Sequence, residues 1–278
     1  MMPPTTRPTS DTALIAFGSN QGDSMQIFKE TIDALQRIAG INVVAHSNAV
    51  WTTPVTGTAG TSTQSTEDQQ PYLNAVIRIE TRLPPSDLHL QTAAIEHQFG
   101  RVRAGRWQAR TIDLDLLLLG DHVIHTRSLT LPHPRMSFRR FVLEPAAEIA
   151  ANIVHPTSKC SMVDLLKRIN SPIKTMALIA PNSEAQTVAL EKLVHLLSKK
   201  NSQWKFEKVF SAEKFFQLDS NLTIAVTFDL HTTDTKDLAW RKLKEHAVRF
   251  AGPTLHLKKL SNLQFALNEL SAALQTIG

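Results

Sequence analysis

Arg110-Thr111-Ile112-Asp113-Leu114-Asp115-Leu116-Leu117-Leu118-Leu119, closed by Gly120, is the stretch from which the rest of the chain can be read. An apolar run of that length bounded by glycine reads as a buried strand. Side chains alternate faces along a strand, so Asp113 and Asp115 point the same way, roughly 6.5–7 Å apart. Two carboxylates so placed suit one hard cation, or two cations about 3.5–4 Å apart. Magnesium takes one or two carboxylates and leaves its other positions to water and phosphate oxygens. Just before the strand, Arg101, Arg103, Arg106 and Arg110 lie on a polar loop. Guanidinium forks match phosphate oxygens two at a time. Carboxylates for a metal beside arginines for phosphates are the parts used in phosphoryl transfer from a nucleotide. The same aspartates also fit solvated charges on an edge strand. The arginine loop and the long apolar run weigh against that alternative.

Upstream, strands and helices alternate. Ala13–Phe17 is a short apolar strand ending at Gly18. Asp23-Ser24-Met25-Gln26 has the form of a helix-capping signature, and Phe28, Ile32, Leu35 and Ile38 recur at helical spacing. Gly40 closes that helix, and 41–50 reads as a second strand. From Leu73 to Ile79, apolar Leu73, Ala75, Ile77 and Ile79 alternate with Tyr72, Asn74, Val76 and Arg78. A second helix runs from Ser86 through Leu88, Ile95 and Phe99 to Gly100. The Asp113–Leu119 strand follows, with a hairpin expected at Gly120-Asp121. This β-α-β-β-α-β order predicts an α+β, ferredoxin-like N-terminal domain. If the apolar set of the third strand faces the helices, Tyr72 and Asn74 face the other side. An aromatic ring and an amide on one face suit a flat heterocycle with hydrogen-bonding edges. They equally suit a merely wet face on spacing alone.

The chain has 278 residues, 42% of them apolar, enough for two ordinary domains. Its single cysteine excludes an internal disulfide framework and points to a reducing, cytoplasmic setting. No run of about 18 apolar residues supports a membrane span. The Pro- and Thr-rich start, 1–11, lacks the apolar core of a secretory signal and reads as a disordered tail. A net charge of +5 could indicate nucleic acid. A phosphate site accounts for part of that excess, and no nucleic-acid motif is present.

Several ordered motifs together carry a resemblance: Phe17-Gly18-Ser19-Asn20, Thr53-Pro54, Tyr72-Leu73-Asn74-Ala75, Gly100-Arg101-Val102-Arg103, Arg106-Trp107, Arg110-Thr111-Ile112-Asp113-Leu114-Asp115 and Leu131-Pro132-His133-Pro134. Residues 13 to about 156 resemble 6-hydroxymethyl-7,8-dihydropterin pyrophosphokinase, an enzyme family of folate biosynthesis. The resemblance implies transfer of pyrophosphate from ATP to the pterin, leaving AMP, with two Mg²⁺ ions on Asp113 and Asp115. It assigns Arg101 and Arg110 to catalysis. It gives Arg103, Trp107, Leu129, Thr130, His133 and Arg139 to ATP, and Thr53, Pro54, Tyr72, Asn74 and Phe141 to the pterin, with Tyr72 and Phe141 sandwiching the ring. Glu96 also matches a family position, although helical spacing alone leaves it a solvated residue. Three departures stand out. The segment Gly57–Gln70 is an expanded polar loop. Pro134 stands where the family often carries an aromatic hydroxyl, so that phosphate contact is lost or passes to Arg135. Arg140 replaces a usually small residue.

The pyrophosphokinase domain is expected over 12–170, and Asn170-Ser171-Pro172 reads as a linker. Residues 174–278 are long enough for a domain of their own. Strands at Thr175–Ala180, Leu222–Phe228 and Thr254–Leu257 alternate with helices at Glu184–Lys199, Thr235–Phe250 and from Ser261 on. That pattern predicts a smaller, parallel α/β domain. Its end, from Gly252-Pro253-Thr254, weakly resembles P-loop nucleoside kinases. The phosphate loop itself is missing: Ala180-Pro181-Asn182-Ser183-Glu184-Ala185 lacks the required glycines and lysine. A degenerate module with a structural role, or one that holds a protein partner, is the reading that remains. A barrel of the dihydropteroate synthase kind would need about 250 residues.

Overall fold

A computed structural model of the chain describes residues 10–54, 70–100, 110–199, 201–218, 222–228, 250–257 and 263–277, with positions 239, 240, 242, 243 and 247. Most of the expected tail, most of the expanded loop and the segment 101–109 lie outside the described residues.

Strand β1 (Asp11–Ser19) leads to helix α1 (Ser24–Gln36), whose cap is the expected one: the Asp23 carboxylate accepts the Gln26 N–H at 3.0 Å. Strands β2 (Ile41–His46), β3 (Val50–Thr52) and β4 (Tyr72–Thr81) follow. Helix α2 (Pro85–Gln98) starts on a proline, and strand β5 (Asp113–Leu119) completes the sheet. The sheet runs β2-β4-β1-β5, with β3 also on β4, and every pairing is antiparallel.

Two local differences from the sequence reading have plain causes. The expected strand 41–50 is broken at 47–49 into β2 and β3, and within β2 the register on β4 shifts between Val43 and Ala45. At the break, Ser47 takes over the ladder: its N–H donates to the Val76 carbonyl at 2.9 Å, and its hydroxyl accepts the Val76 N–H at 3.0 Å. The hairpin expected at Gly120 does not return along β5. The chain instead forms a separate ladder of β6 (Ile124–His125) with β7 (Thr130–Leu131). Part of the outer edge of β5 is taken by the segment after β7, where the His133 N–H donates to the Leu117 carbonyl at 2.7 Å.

The two faces of the sheet have separate roles. Ala13, Ile15, Phe17, Leu73, Ala75, Ile77 and Ile79 pack with α1 and α2. The opposite face, with Leu14, Val76 and Leu117, meets a 3₁₀ turn (Met136–Phe138), α3 (Arg140–Ala150) and α4 (Met162–Ile169). Arg78 of β4 reaches across to donate to the Ile149 carbonyl at 2.7 Å. It thereby satisfies one of the carbonyls that a helix end leaves open.

The second half holds β8 (Lys174–Ile179), α5 (Glu184–Ser198), β9 (Trp204–Val209), α6 (Ala212–Leu218), β10 (Ile224–Phe228), β11 (Thr254–Leu257) and a last helix, Leu263–Ile277. The order is β11-β10-β8-β9 and all three pairings are parallel. Strand β9 and helix α6 are additions to the sequence reading. Strand β9 is an edge, and its lysines Lys205 and Lys208 give it a polar look. The helix expected at Thr235–Phe250 lies mostly outside the described residues.

One apolar core joins the halves. It runs from Leu14 and Val76 through Val142, Leu143, Leu165 and Ile169 to Met176, Leu178, Ile224 and Val226, and on to Leu270 and Ile277. Helices α3 and α4 are thus a layer shared by both sheets. The chain between them is tied down by its own bonds: the His155 N–H donates to Cys160 O at 2.8 Å, and His155 Nδ1 accepts the Ser158 N–H at 3.2 Å. Burial pushes the His155 imidazole down to about 4. The unfolded imidazole titrates near 6.5, so between the two values only the unfolded chain binds the proton. Stability is complete above about pH 6.5 and falls as pH drops toward 4, by roughly 3 kcal/mol for this residue alone. Urea unfolding at pH 7 and pH 5 should show about 2 kcal/mol of that loss, and His155→Asn should reduce the difference between the two pH values.

Candidate active site

The cleft begins as a matter of register. Gly18 on β1 lies opposite Asn74 on β4 and opposite Asp113 on β5, while Ala16 lies opposite Val76 and Asp115. Neighbouring strands are about 4.8 Å apart. The side chains of Asn74 and Asp113 therefore rise on either side of a glycine, with an alanine next in line. A Cβ on Gly18 would stand 3.7 Å from Asp113 Cβ and 4.0 Å from Asn74 Oδ1. Small residues make the floor, and what stands around them makes a cleft of about 360 Å³. Thr52, Thr53, Pro54 and Tyr72 wall one side, and Arg110, Asp113 and Asp115 the other. His133, Pro134, Arg135, Arg139 and Phe141 close it from the segment that enters α3.

Cationic and anionic groups interlock here. Arg110 pairs with the Asp113 carboxylate and hydrogen-bonds the Tyr72 side chain. Burial opposes the Arg110 charge, but Asp113, Tyr72 and Asp115 outweigh it and hold the guanidinium above its ordinary value. Burial raises the Tyr72 phenol despite the cation beside it. Arg139 is pushed down to about 10 by burial and by Arg135, with Asp115 and Asp113 opposing, so it stays charged near neutral pH. Its guanidinium lies 5.5 Å from the centre of the Phe141 ring. Burial, then Arg139 and Arg135, lower His133 to about 3. Its Nδ1 accepts the Arg135 N–H at 3.2 Å, so the proton of the neutral ring sits on Nε2, 3.7 Å from Asp115 Oδ2. On the other side, Asn74 Nδ2 donates to Thr52 Oγ1 at 2.9 Å and to the Tyr72 carbonyl at 3.2 Å. The group Asn74 turns toward Gly18 is its Oδ1, an acceptor.

Of the residues singled out from the sequence, Thr53, Pro54, Tyr72, Asn74, Arg110, Asp113, Asp115, His133, Arg139 and Phe141 all line this one cleft. Leu129 and Thr130 do not. They lie at the β6–β7 ladder, where the Leu129 N–H donates to Thr126 Oγ1 at 3.0 Å. Arg101, Arg103 and Trp107 lie outside the described residues. Among the described residues, no group of three or more His, Cys, Asp or Glu could hold a metal ion. Asp113 and Asp115 remain as a pair of carboxylates on one face.

Comparison with known proteins covers the half of the chain that builds the cleft. The family model for 7,8-dihydro-6-hydroxymethylpterin-pyrophosphokinase (HPPK) matches residues 14–151. A Haemophilus influenzae 2-amino-4-hydroxy-6-hydroxymethyldihydropteridine pyrophosphokinase is 36% identical over 157 residues, which are 56% of this chain and 92% of that protein. The Bacillus subtilis protein of the same name is 40% identical over 141 residues, 51% of this chain and 79% of its own length. The chain belongs to the HPPK family. It is therefore an enzyme of diphosphoryl transfer, a pyrophosphokinase. A solved Plasmodium falciparum HPPK-DHPS chain aligns with 98% of this chain and 86% of its own length, at 10% identity and a TM-score of 0.44, and supports nothing about the second half.

Some positions in this HPPK chain acquire a role only from the structure. Asn20, quoted within the first motif but given no task, is 4% exposed and ties three segments together. Its Oδ1 accepts the Arg110 N–H at 2.8 Å, its N–H donates to the Arg110 carbonyl at 3.1 Å, and its Nδ2 donates to Gln70 O at 3.3 Å. Its place right after the first strand was the available signal. Glu96, which spacing alone would leave solvated, is 5% exposed. Its Oε1 accepts the Leu114 N–H at 2.7 Å, between the two aspartates on the open edge of β5. Thr52 carried no signal in the sequence beyond standing next to Thr53. Asn20→Ala leaves the half-buried Arg110 N–H without its acceptor and should cost about 1–2 kcal/mol of stability in urea unfolding.

Proposed function

We propose that the chain transfers pyrophosphate from ATP to 6-hydroxymethyl-7,8-dihydropterin in a magnesium-dependent reaction, giving AMP and the pterin diphosphate of folate biosynthesis. One observation carries the reading: the flat-ring residues Tyr72, Asn74 and Phe141 share a cleft with Asp113 and Asp115. The strand order of the first sheet is read as the ferredoxin-like arrangement, and its antiparallel registers set the two groups side by side. The relatives' names state the same pterin, and family membership supports carrying it over to this chain.

In this reading Tyr72 and Phe141 hold the pterin between them. Asn74 Oδ1 accepts from the amino edge of the ring, since Nδ2 is committed to Thr52 and to the backbone. The backbone around Thr53 and Pro54 completes that side. Asp113 and Asp115 fit magnesium, which asks for few carboxylates and leaves room for phosphate oxygens. The metal would supply charge neutralisation and a template for the triphosphate. Arg110, held by Asp113 in the structure described here, is within reach to exchange that carboxylate for a phosphate. Arg139 stays cationic in its buried site, and neutral His133 offers Nε2–H as a donor. Arg101, Arg103 and Trp107 would add contacts from the adjoining segment, and Leu129 and Thr130 would border the adenine.

The new bond joins the pterin hydroxymethyl oxygen, which gives up its proton to water, to the β-phosphorus. The bond that breaks joins that phosphorus to the oxygen bridging to the α-phosphate, and AMP leaves. Positioning and charge neutralisation carry such a step, because a protein has little covalent chemistry to perform in it. With ATP, Mg²⁺ and the pterin, the protein should release AMP. Asp115→Ala should lower the rate on the order of 10²–10³-fold. ADP as product would point instead to γ-phosphoryl transfer, and AMP release undiminished by Asp115→Ala would remove the proposed metal site.

A further inference from the structure

The described residues lining the cleft all lie between 16 and 142. One of them is nevertheless held from the far end of the chain. Arg135 pairs with Glu269 of the last helix, 134 positions away. The Glu269 side chain is only 6% exposed, and that of Arg135 26%. The carboxylate is thus largely removed from water, and its partner Arg135 is among the residues that line the cleft. Around the pair, Ser137 Oγ accepts the Thr254 N–H at 3.2 Å, and Arg140 donates through Nε and Nη2 to the Ile277 carbonyl at 3.1 and 2.9 Å. The segment that carries His133, Arg139 and Phe141 into the cleft therefore alternates. Some of its residues face the site, and others are fastened to the C-terminal module.

We infer that Glu269 is a positioning residue for the nucleotide site: it holds Arg135 at the cleft wall, so that the second half of the chain sets phosphate affinity. The inference rests on the proposed reaction for the identity of the phosphate ligand. Arg135 lines the cleft together with His133 and Arg139, and its charge already lowers both of them. A long arginine held by a buried carboxylate loses its rotamer freedom before the ligand arrives rather than on binding. Glu269 also neutralises part of the Arg135 charge, which acts the other way on phosphate affinity. Fixing the guanidinium outweighs this, because the pair holds its planar fork in one place beside the cleft instead of leaving it spread over many rotamers.

The test compares the full chain with Glu269→Gln, Glu269→Ala, Arg135→Ala and the double variant Arg135→Ala/Glu269→Ala. Binding of α,β-methylene-ATP with Mg²⁺ is measured by calorimetry, and KM for ATP and for the pterin by AMP release. Glu269→Ala should weaken the analogue and raise KM for ATP about three- to tenfold, while KM for the pterin stays put. Glu269→Gln, which keeps an acceptor and the side-chain shape, should lie between it and the native protein. The double variant should match Arg135→Ala alone. Unchanged or tighter nucleotide binding in both Glu269 variants would overturn the inference. So would equal weakening of ATP and pterin, the mark of a merely structural loss. If Glu269→Ala fails to fold, the near-isosteric Glu269→Gln decides the matter. A native protein that binds the analogue but makes no AMP would sink the proposed reaction and leave the binding comparison to judge Glu269. One that binds no nucleotide would sink both.

Discussion

Antiparallel pairing of β1 with both β4 and β5 is the constraint on which the cleft rests. It sets Asn74 and Asp113 on either side of Gly18, and Val76 and Asp115 on either side of Ala16. A slip of one residue in either pairing would turn the whole set to the opposite face. What prevents the slip is the other side of the same strands. Ile15, Phe17, Leu73, Ala75 and Ile77 are buried against α1 and α2, and a one-residue slip would turn them away from those helices. The apolar face thus positions polar groups that it never touches.

On that frame the site balances cations against two carboxylates in a partly dry space. Arg110 leans on Asp113, and Arg139 keeps its charge although burial draws it down to about 10. His133 cannot add a further positive charge among these arginines, and its ring stays neutral with Nδ1 tied to the Arg135 backbone. In the reaction proposed above, phosphate oxygens would take over the arginines and magnesium the aspartates.

The second half of the molecule is part of this balance. Residues of α3 and α4 belong to one apolar core together with residues of both sheets. Arg135, Ser137 and Arg140 carry that union up to the wall of the cleft. Nothing in the sequence of the last helix announces this. Glu269 there reads as one more polar residue on an amphipathic helix.

Much of the fold was legible because it depends on local patterns. The Asp23 cap, the alternation along β4, the Asp113–Leu119 run and the parallel β/α rhythm of the second half each reflect a period or a capping signature, and each recurs in the structure. The break after His46 and the edge strand β9 were not legible, since their local composition does not distinguish them from a straight strand or a polar loop. The chemistry of the site was likewise written in residue types: paired carboxylates, arginines, an aromatic beside an amide. What the sequence alone could not decide was who holds these groups in place. Asn20 on Arg110, Glu96 on the Leu114 amide and Glu269 on Arg135 join residues 90, 18 and 134 positions apart. Such partners become neighbours only when the sheets and helices close on one core. A carboxylate or amide becomes a fixed support only once that closure has taken its water away.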